Sequence, residues 1–262
     1  MRNNRAGVTG FLMCFMAIIF GVATNGGIQT IVNFIHLPSF IVTVGGALFA
    51  VLITADSFGD YFLGIKGFGY ALFGGAADMD GITESIYEMS DLARKEGLLS
   101  LEEKGSQLTD SFLAKGISLV VDGSEPELIR DIMEMEMTHK YDIDKKQIRF
   151  WQDLGAYAPA WGMVGTLIGL INIMKTMGSD SSAIGAGMSL ALITTLYGSI
   201  IANWICIPIA RKLEKKRDTE YLVREIIIEG VLSIQAGENT RIIKEKIRAI
   251  VNEENEQCQI FL

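Results

Sequence analysis

Three threonines set in apolar stretches, Thr166, Thr194 and Thr195, are the side chains of this sequence best placed to do chemistry. A hydroxyl oxygen can replace part of the water shell of a cation or hold a water in a proton path. It can equally satisfy a carbonyl one turn back in its own helix, and the sequence leaves both roles open. Other chemistries find little support. His36 and His139 stand apart, with no carboxylate or cysteine cluster beside them, which argues against acid-base catalysis and metal ligation. Cys14, Cys206 and Cys258 are scattered without ligand spacing and read as small apolar fillers. Gly64, Gly67, Gly69, Gly74 and Gly75 have the composition of a phosphate loop, yet no Gly-Lys-Ser/Thr follows and no strand precedes them. With no nucleophile, metal or phosphate constellation, an enzyme is not expected, and neither is a cofactor.

The elements that carry the threonines are long and apolar. No Asp, Glu, Lys or Arg occurs from Ala6 until Asp56, nor from Ser181 to Ala210. A bilayer core takes roughly 20 apolar residues in helical form, so each region divides into two spans. The spacing predicts helices near 7–24, 34–55, 154–176 and 183–208, joined in pairs by the breaker-rich turns Thr24 to Gly27 and Gly178 to Ser182. Arg2, Arg5, Arg211, Lys212, Lys215, Lys216 and Arg217 fall on one side of this arrangement and only Lys175 near the other, which predicts cytoplasmic termini. The first span leads straight into a second and reads as a retained anchor.

Between the pairs, Ile82, Ile86, Met89 and Ala93 recur at helical steps, and Gly97 marks a stop. Ser124 with Glu127 suggests a capping box, Pro126 sits in the first turn, and that helix is expected to run towards the third span. After the fourth span, Tyr221, Ile227 and Val231 continue the helical pattern to a break near Gly237, and Ile243, Ile247, Ile250 and Val251 follow. The expected fold is all-α: spans 1 and 2 in 1–55, a mostly helical cytoplasmic domain in 56–152, spans 3 and 4 in 153–210, and a helical tail in 211–262. The net charge of −8 lies in the soluble parts, which argues against nucleic acid and for charged protein surfaces as partners.

The second pair of spans is the more specific. Ala158, Gly162 and Thr166, then Gly165 and Gly169, recur at steps of four, and Gly187, Ala191, Thr195, Gly198 and Ala202 form a similar stripe. Small residues at that spacing let helix backbones approach closely in lipid. Equally telling, no carboxylate lies within any span. A self-sufficient proton or cation carrier keeps an ionisable group in the membrane despite a cost of about 2.5–3.5 kcal/mol or more. If this chain lines an ion path, a partner helix must supply the acid.

Ala158-Pro159-Ala160-Trp161-Gly162-Met163-Val164-Gly165-Thr166-Leu167-Ile168-Gly169, Ile193-Thr194-Thr195-Leu196-Tyr197-Gly198, and Ala202-Asn203 leading to Pro208 resemble the MotA/PomA family of flagellar stator subunits. The resemblance includes Arg94-Lys95-Glu96-Gly97-Leu98-Leu99-Ser100-Leu101-Glu102 and the order of all four spans. It implies a multi-pass protein of the bacterial inner membrane, a pentamer around a dimer of a MotB-type subunit that carries the membrane aspartate. Proton or sodium flow through that complex would turn the rotor through its protein FliG.

By resemblance, Thr166, Thr194 and Thr195 line the ion pathway, Pro159 and Pro208 are coupling prolines, and Arg94 and Glu102 face the rotor. Proline removes a backbone donor and can bend a helix, so a hinge is physically reasonable, although Pro208 also suits a plain span end. Arg94 and Glu102 also suit solvated helix faces. The pair Thr194-Thr195 resembles the sodium-type pattern, and extra hydroxyl oxygen suits a partly dehydrated Na⁺. Related ExbB or TolQ type subunits have three spans, which the extra N-terminal span disfavours. A self-sufficient channel is disfavoured by the missing acid.

Overall fold

The computed structural model describes residues 5–26, 32, 34–75, 78–176 and 181–260. In chain order the helices are α1 (Arg5–Gly26), α2 (Leu37–Phe40), a π-helical turn (Ile41–Gly45) and α3 (Gly46–Thr54). They continue with α4 (Phe58–Phe73), α5 (Met79–Glu96), a 3₁₀ turn (Leu98–Ser100), α6 (Leu101–Ser106) and α7 (Ser111–Val121). Last come α8 (Pro126–Thr176), α9 (Ser181–Ile200), a second π-helical segment (Ile201–Cys206), α10 (Ile207–Gln235) and α11 (Thr240–Ile260). No strand occurs among the described residues, in keeping with the all-α expectation. Of the expected turn residues, Gly27, Gly178, Ser179 and Asp180 lie outside the described residues, as does Arg2.

Four helical stretches among the described residues are long and apolar enough to cross a membrane. Two differ from the expected shape. The second span is α2, a π turn and α3 in succession, and the fourth is α9, a π segment and the start of α10. Pro208 does not end a helix: the chain runs through it in helix from Ile201 to Gln235. The Ile207 N–H reaches back five residues to the Ala202 carbonyl, and this widened turn precedes the residue that has no donor.

The chain forms two compact units. One comprises Ala76–Ile143 and Lys215–Leu262. Its core takes Ile86 and Met89 from α5, Leu101 from α6, Phe112, Leu113, Ile117 and Val120 from α7, Ile129 and Met133 from α8, and Ile226, Ile227, Val231, Ile243 and Ile247 from the last two helices. Burying each such side chain contributes about 1.5–3 kcal/mol. The predicted stop at Gly97 is real: its φ is +88° and its N–H closes on the Ala93 carbonyl at 2.9 Å. The expected capping box is not formed, because α8 begins at Pro126 and Ser124 lies outside its cap. Ser124 N–H instead bonds the Leu119 carbonyl and Gly123 N–H that of Val120, with Gly123 at φ +72°, which closes the end of α7. Gly237, at φ +69°, ends α10 in the same way through Ser233 and Ile234.

The other unit comprises Arg2–Gly75 and Asp144–Glu214. Here Gly64, Gly67 and Gly69 of the phosphate-loop-like run sit inside α4, and the first two make room for aromatic rings. A Cβ on Gly64 would stand 2.3 Å from the Phe150 ring and one on Gly67 3.2 Å from the Trp151 nitrogen, while Trp151 Nε1 donates to the Gly64 carbonyl at 2.9 Å. Gly46 likewise admits the Trp161 indole. α1 is held by Trp204, which stacks on Phe11 at 4.6 Å and donates from Nε1 to the Phe11 carbonyl. Cys14 is exposed and Cys206 buried, both as free thiols, and the side chain of Cys258 lies outside the described residues.

A charged clasp joins α10 and α11. Lys246 Nζ donates to Glu229 Oε1 and Glu238 Oε1, both at 2.9 Å, and to Ser233 Oγ at 3.2 Å. The bond from Lys246 holds the Glu238 carboxyl below its usual range, and the two carboxylates raise the Lys246 ammonium. A carboxyl more acidic in the fold than in the unfolded chain stabilises above its unfolded pKa of about 4.3 and loses that contribution as pH falls through the folded value. The raised lysine contributes fully below about 10.4, so the clasp is intact across the neutral range. Amide exchange protection of the α10–α11 pair should therefore drop as pH falls below about 4.3. Lys246→Met should weaken protection at pH 7 and flatten that acid-side decline.

Candidate functional site

The backbones of α8 and α9 pack together at near contact, and glycine makes this possible. A Cβ on Gly162 would lie 3.0 Å from the Thr194 carbonyl oxygen, one on Gly169 2.7 Å from that of Gly187, and one on Gly198 2.6 Å from that of Ala158. The two stripes read from the sequence thus meet in one seam, as small-residue packing in lipid requires. Two positions differ, Thr166 and Thr195, which stand off the seam. Thr194, not Thr195, fills the seam: it is fully buried, and a Cβ on Gly165 would stand 2.5 Å from its Cγ2.

The three threonines separate accordingly. Thr194 Oγ1 donates to the Leu190 and Ala191 carbonyls at 3.1 and 2.9 Å, and its own carbonyl accepts from Thr43 Oγ1 at 3.4 Å. Its hydroxyl is directed into its own helix, the back-bonding that a threonine in a helix makes readily. Thr195 is exposed on α9 and makes a longer bond of 3.3 Å to Ala191, while Thr166 is half-buried on α8 and bonds the Met163 carbonyl at 2.6 Å. Each of these two retains acceptor capacity towards the outside of the chain.

Pro159 lies inside α8, half-buried, where its missing N–H leaves one helical bond unmade. The Cβ position of Gly198 is 3.1 Å from the Pro159 Cα, so α9 crosses α8 at the proline turn. Pro208 is exposed, two residues beyond the Ile201–Cys206 segment. Tyr197, part of the sequence pattern but assigned no role there, ties α9 to the chain before α2: its hydroxyl accepts from His36 N–H at 3.1 Å and donates to the Phe34 carbonyl. His36 caps α2, its Nδ1 accepting from Ser39 N–H at 3.3 Å.

Arg94 and Glu102 belong to the other unit, at the two ends of one bend. Arg94 and Lys95 occupy the last turn of α5, Gly97 reverses the chain, and Glu102 and Glu103 occupy the first turn of α6. Each charge matches the adjoining helix dipole, which is sufficient local cause for the pattern. Arg94 and Glu102 are both exposed. Between them Leu98 packs on the core whereas Leu99 is 74% exposed, a division that helical spacing does not foretell because the segment is a 3₁₀ turn. Among the described residues no group of three or more His, Cys, Asp or Glu side chains forms a metal site.

Comparison with known proteins agrees with this geometry. Residues 104–226 match the MotA/TolQ/ExbB proton channel family. The chain is 37% identical to motility protein A of Treponema phagedenis over 94% of this chain and 93% of that one. It is 36% identical to the chemotaxis protein PomA of Vibrio alginolyticus over 97% and 96% of the two chains. Its fold superposes on a chain of the flagellar MotAB stator complex from Bacillus subtilis with a TM-score of 0.82 and 28% identity, covering 94% and 95% of the two.

The seam makes a prediction that needs no ion. Gly165→Ala should destabilise the purified protein in detergent by about 1–3 kcal/mol, because the added methyl has no room beside Thr194. Thr166→Ala and Thr195→Ala, outside the seam, should stay within about 0.5 kcal/mol of the parent in the same unfolding measurement.

Proposed function

The chain belongs to the MotA/TolQ/ExbB proton channel family, and we infer that it is the A subunit of a bacterial flagellar stator, which converts ion flow across the inner membrane into torque. The observation that carries this reading is the collinear match to motility protein A over more than nine tenths of both chains, joined to the fold of a stator subunit. The protein works as a motor component and not as an enzyme.

The finer reading is physical. Four membrane crossings with both termini in the cytoplasm follow from the four apolar stretches and from Arg5, Arg211, Lys212, Lys215, Lys216 and Arg217 on one side. The partner is a MotB-type subunit bearing the membrane aspartate, since no acid of this chain lies in Leu154–Met174 or Ser181–Ala210. Copies of the chain, five by family resemblance, surround a B dimer. Thr166 and Thr195 offer hydroxyl oxygen to the moving H⁺ or Na⁺, and Thr194 braces the wall from within the seam. Pro159 and Pro208 mark the turns where a missing helical bond allows bending, and the bend from Arg94 to Glu102 meets FliG. One charge crossing 100 mV releases about 2.3 kcal/mol, enough to shift such a contact.

The ExbB or TolQ reading is disfavoured by α1, which supplies a fourth crossing. A self-sufficient channel is disfavoured by the missing acid. A strain lacking this chain and every paralogue should build flagella yet fail to swim, and normal swimming would reject the stator reading. Expressed without a B subunit, the chain should pass little ion current; a large leak would reject the partnership. If the ion is Na⁺, swimming speed should rise with external sodium, and Thr195→Ala should raise the sodium needed. Speed indifferent to sodium in the parent assigns protons.

A further inference from the structure

The exposed face of the fourth apolar stretch changes character halfway along. Met188 and Leu192 come first, and Thr195, Ser199 and Asn203 follow at helical steps of three and four. All five are exposed, and from Thr195 on every side chain in this row carries an oxygen. In hydrocarbon a hydroxyl or an amide without a partner is costly, and lipid tails supply none. This half of the face therefore meets something that can bond it.

Asn203 is the most open of the three. Its Nδ2 donates to the Ser199 carbonyl at 3.0 Å, and since a carbonyl can only accept, the amide is held with Oδ1 turned away from that bond. Neither Oδ1 nor Ser199 Oγ has a hydrogen-bond partner among the described residues. The main chain adds a second oxygen. Asn203 lies in the π-helical segment, where Ile207 N–H goes to the Ala202 carbonyl, and the next residue, Pro208, has no N–H. The donors four and five residues on, which would ordinarily reach the Asn203 carbonyl, are thus both missing. Thr195 Oγ1 already donates to Ala191, so the row offers acceptors above all. The first charged side chain beyond Asn203 is Arg211, eight residues on.

We propose that Ser199 and Asn203 form the inner leg of the ion path, with Asn203 Oδ1 and the Asn203 main-chain carbonyl as a station for the passing cation, Na⁺ or a hydrated proton. This rests on the stator reading and carries the path beyond Thr195, where the residues named from the sequence end. Four helical residues rise about 6 Å, so the three side chains set oxygens at steps that a bound water can bridge, over about 12 Å of membrane. Carbonyls freed from a helix are a recurrent means of holding Na⁺ or H⁺ inside a membrane protein. Asn203 escapes a sequence reading because its second oxygen depends on the widened turn before Pro208.

The test returns the full chain, with its B subunit, to the deletion strain. Asn203→Leu and Ser199→Ala remove side-chain oxygens and leave the main chain intact. Each should lower free swimming speed by about three- to tenfold, because at low load ion transit limits every step. Torque near stall, measured on tethered cells, should stay close to the parent's, since there the driving force and not the transit rate sets it. Asn203→Ser, which keeps an oxygen, should recover part of the speed, and Leu192→Met, on the same face but before the row, should swim as the parent does. The B subunit should copurify with every variant at the parent's yield. If Asn203→Leu swims at the parent's speed, the station is wrong and the stator reading stands. Speed lost together with the copurifying B subunit, or with an equal fall in stall torque, assigns the row to docking a partner helix and rejects the leg. If the parent chain does not restore swimming to the deletion strain, the stator reading itself fails.

Discussion

Near contact between the α8 and α9 backbones is the constraint on which the rest of the apolar unit depends. In hydrocarbon there is no hydrophobic force to press one apolar helix onto another, so association rests on van der Waals contact and the few hydrogen bonds that cross. Gly162, Gly165, Gly169, Gly187 and Gly198 remove the side chains that would hold the backbones apart. Once the helices lie that close, little freedom remains. Thr194 must turn its hydroxyl to its own carbonyls, Thr195 must face away, and Pro159 must sit where Gly198 crosses it.

The same device, glycine opposite a large ring, recurs where α3 and α4 meet α8. Gly46 receives Trp161, Gly64 receives Phe150, and Trp151 adds a directed bond to the Gly64 carbonyl. Rings packed on bare backbone bury much area without the rotamer entropy of long aliphatic chains. By contrast, α1 keeps Leu12, Met13, Met16 and Phe20 exposed, and Trp204 supplies its ring stack and its directed bond. With its ring contacts confined to Phe11 and Phe15, against Phe68 and Trp204, this helix is free to spend the rest of its apolar face on lipid.

Much of this was legible in the sequence because the dominant signals are long. Apolar length, the small-residue stripes and the Gly97 and Gly237 stops each express one rule over many residues or one unusual backbone angle. What escaped is local and depends on partners distant in the chain. Periodicity cannot decide between Thr194 and Thr195, since adjacent residues on a helix differ by only 100°, and Gly165 selects between them from another helix. The π segments at 41–45 and 201–206 also escaped, because widening a turn by one residue leaves no composition signal. Ser124 and Glu127 carry the spacing of a capping box, yet Gly123 draws Ser124 into closing α7 before α8 starts. For the glycine run at 64–75, the sequence reading excluded a phosphate loop but offered no role; ring packing supplies one for Gly64 and Gly67.

The location of the acid is the last step. A carboxylate built into the α8–α9 seam would need its own space and its own hydrogen bonds, and the seam has neither, because its glycines bring carbonyl oxygens to within 3.0 Å of the Cβ positions at Gly162, Gly169 and Gly198. A negative charge beside those oxygens would be repelled as well as desolvated. The packing that fixes the wall therefore excludes a titrating group from the wall itself. A chain packed in this way carries the hydroxyls of Thr166 and Thr195 off the seam and has no room within the seam for a charge.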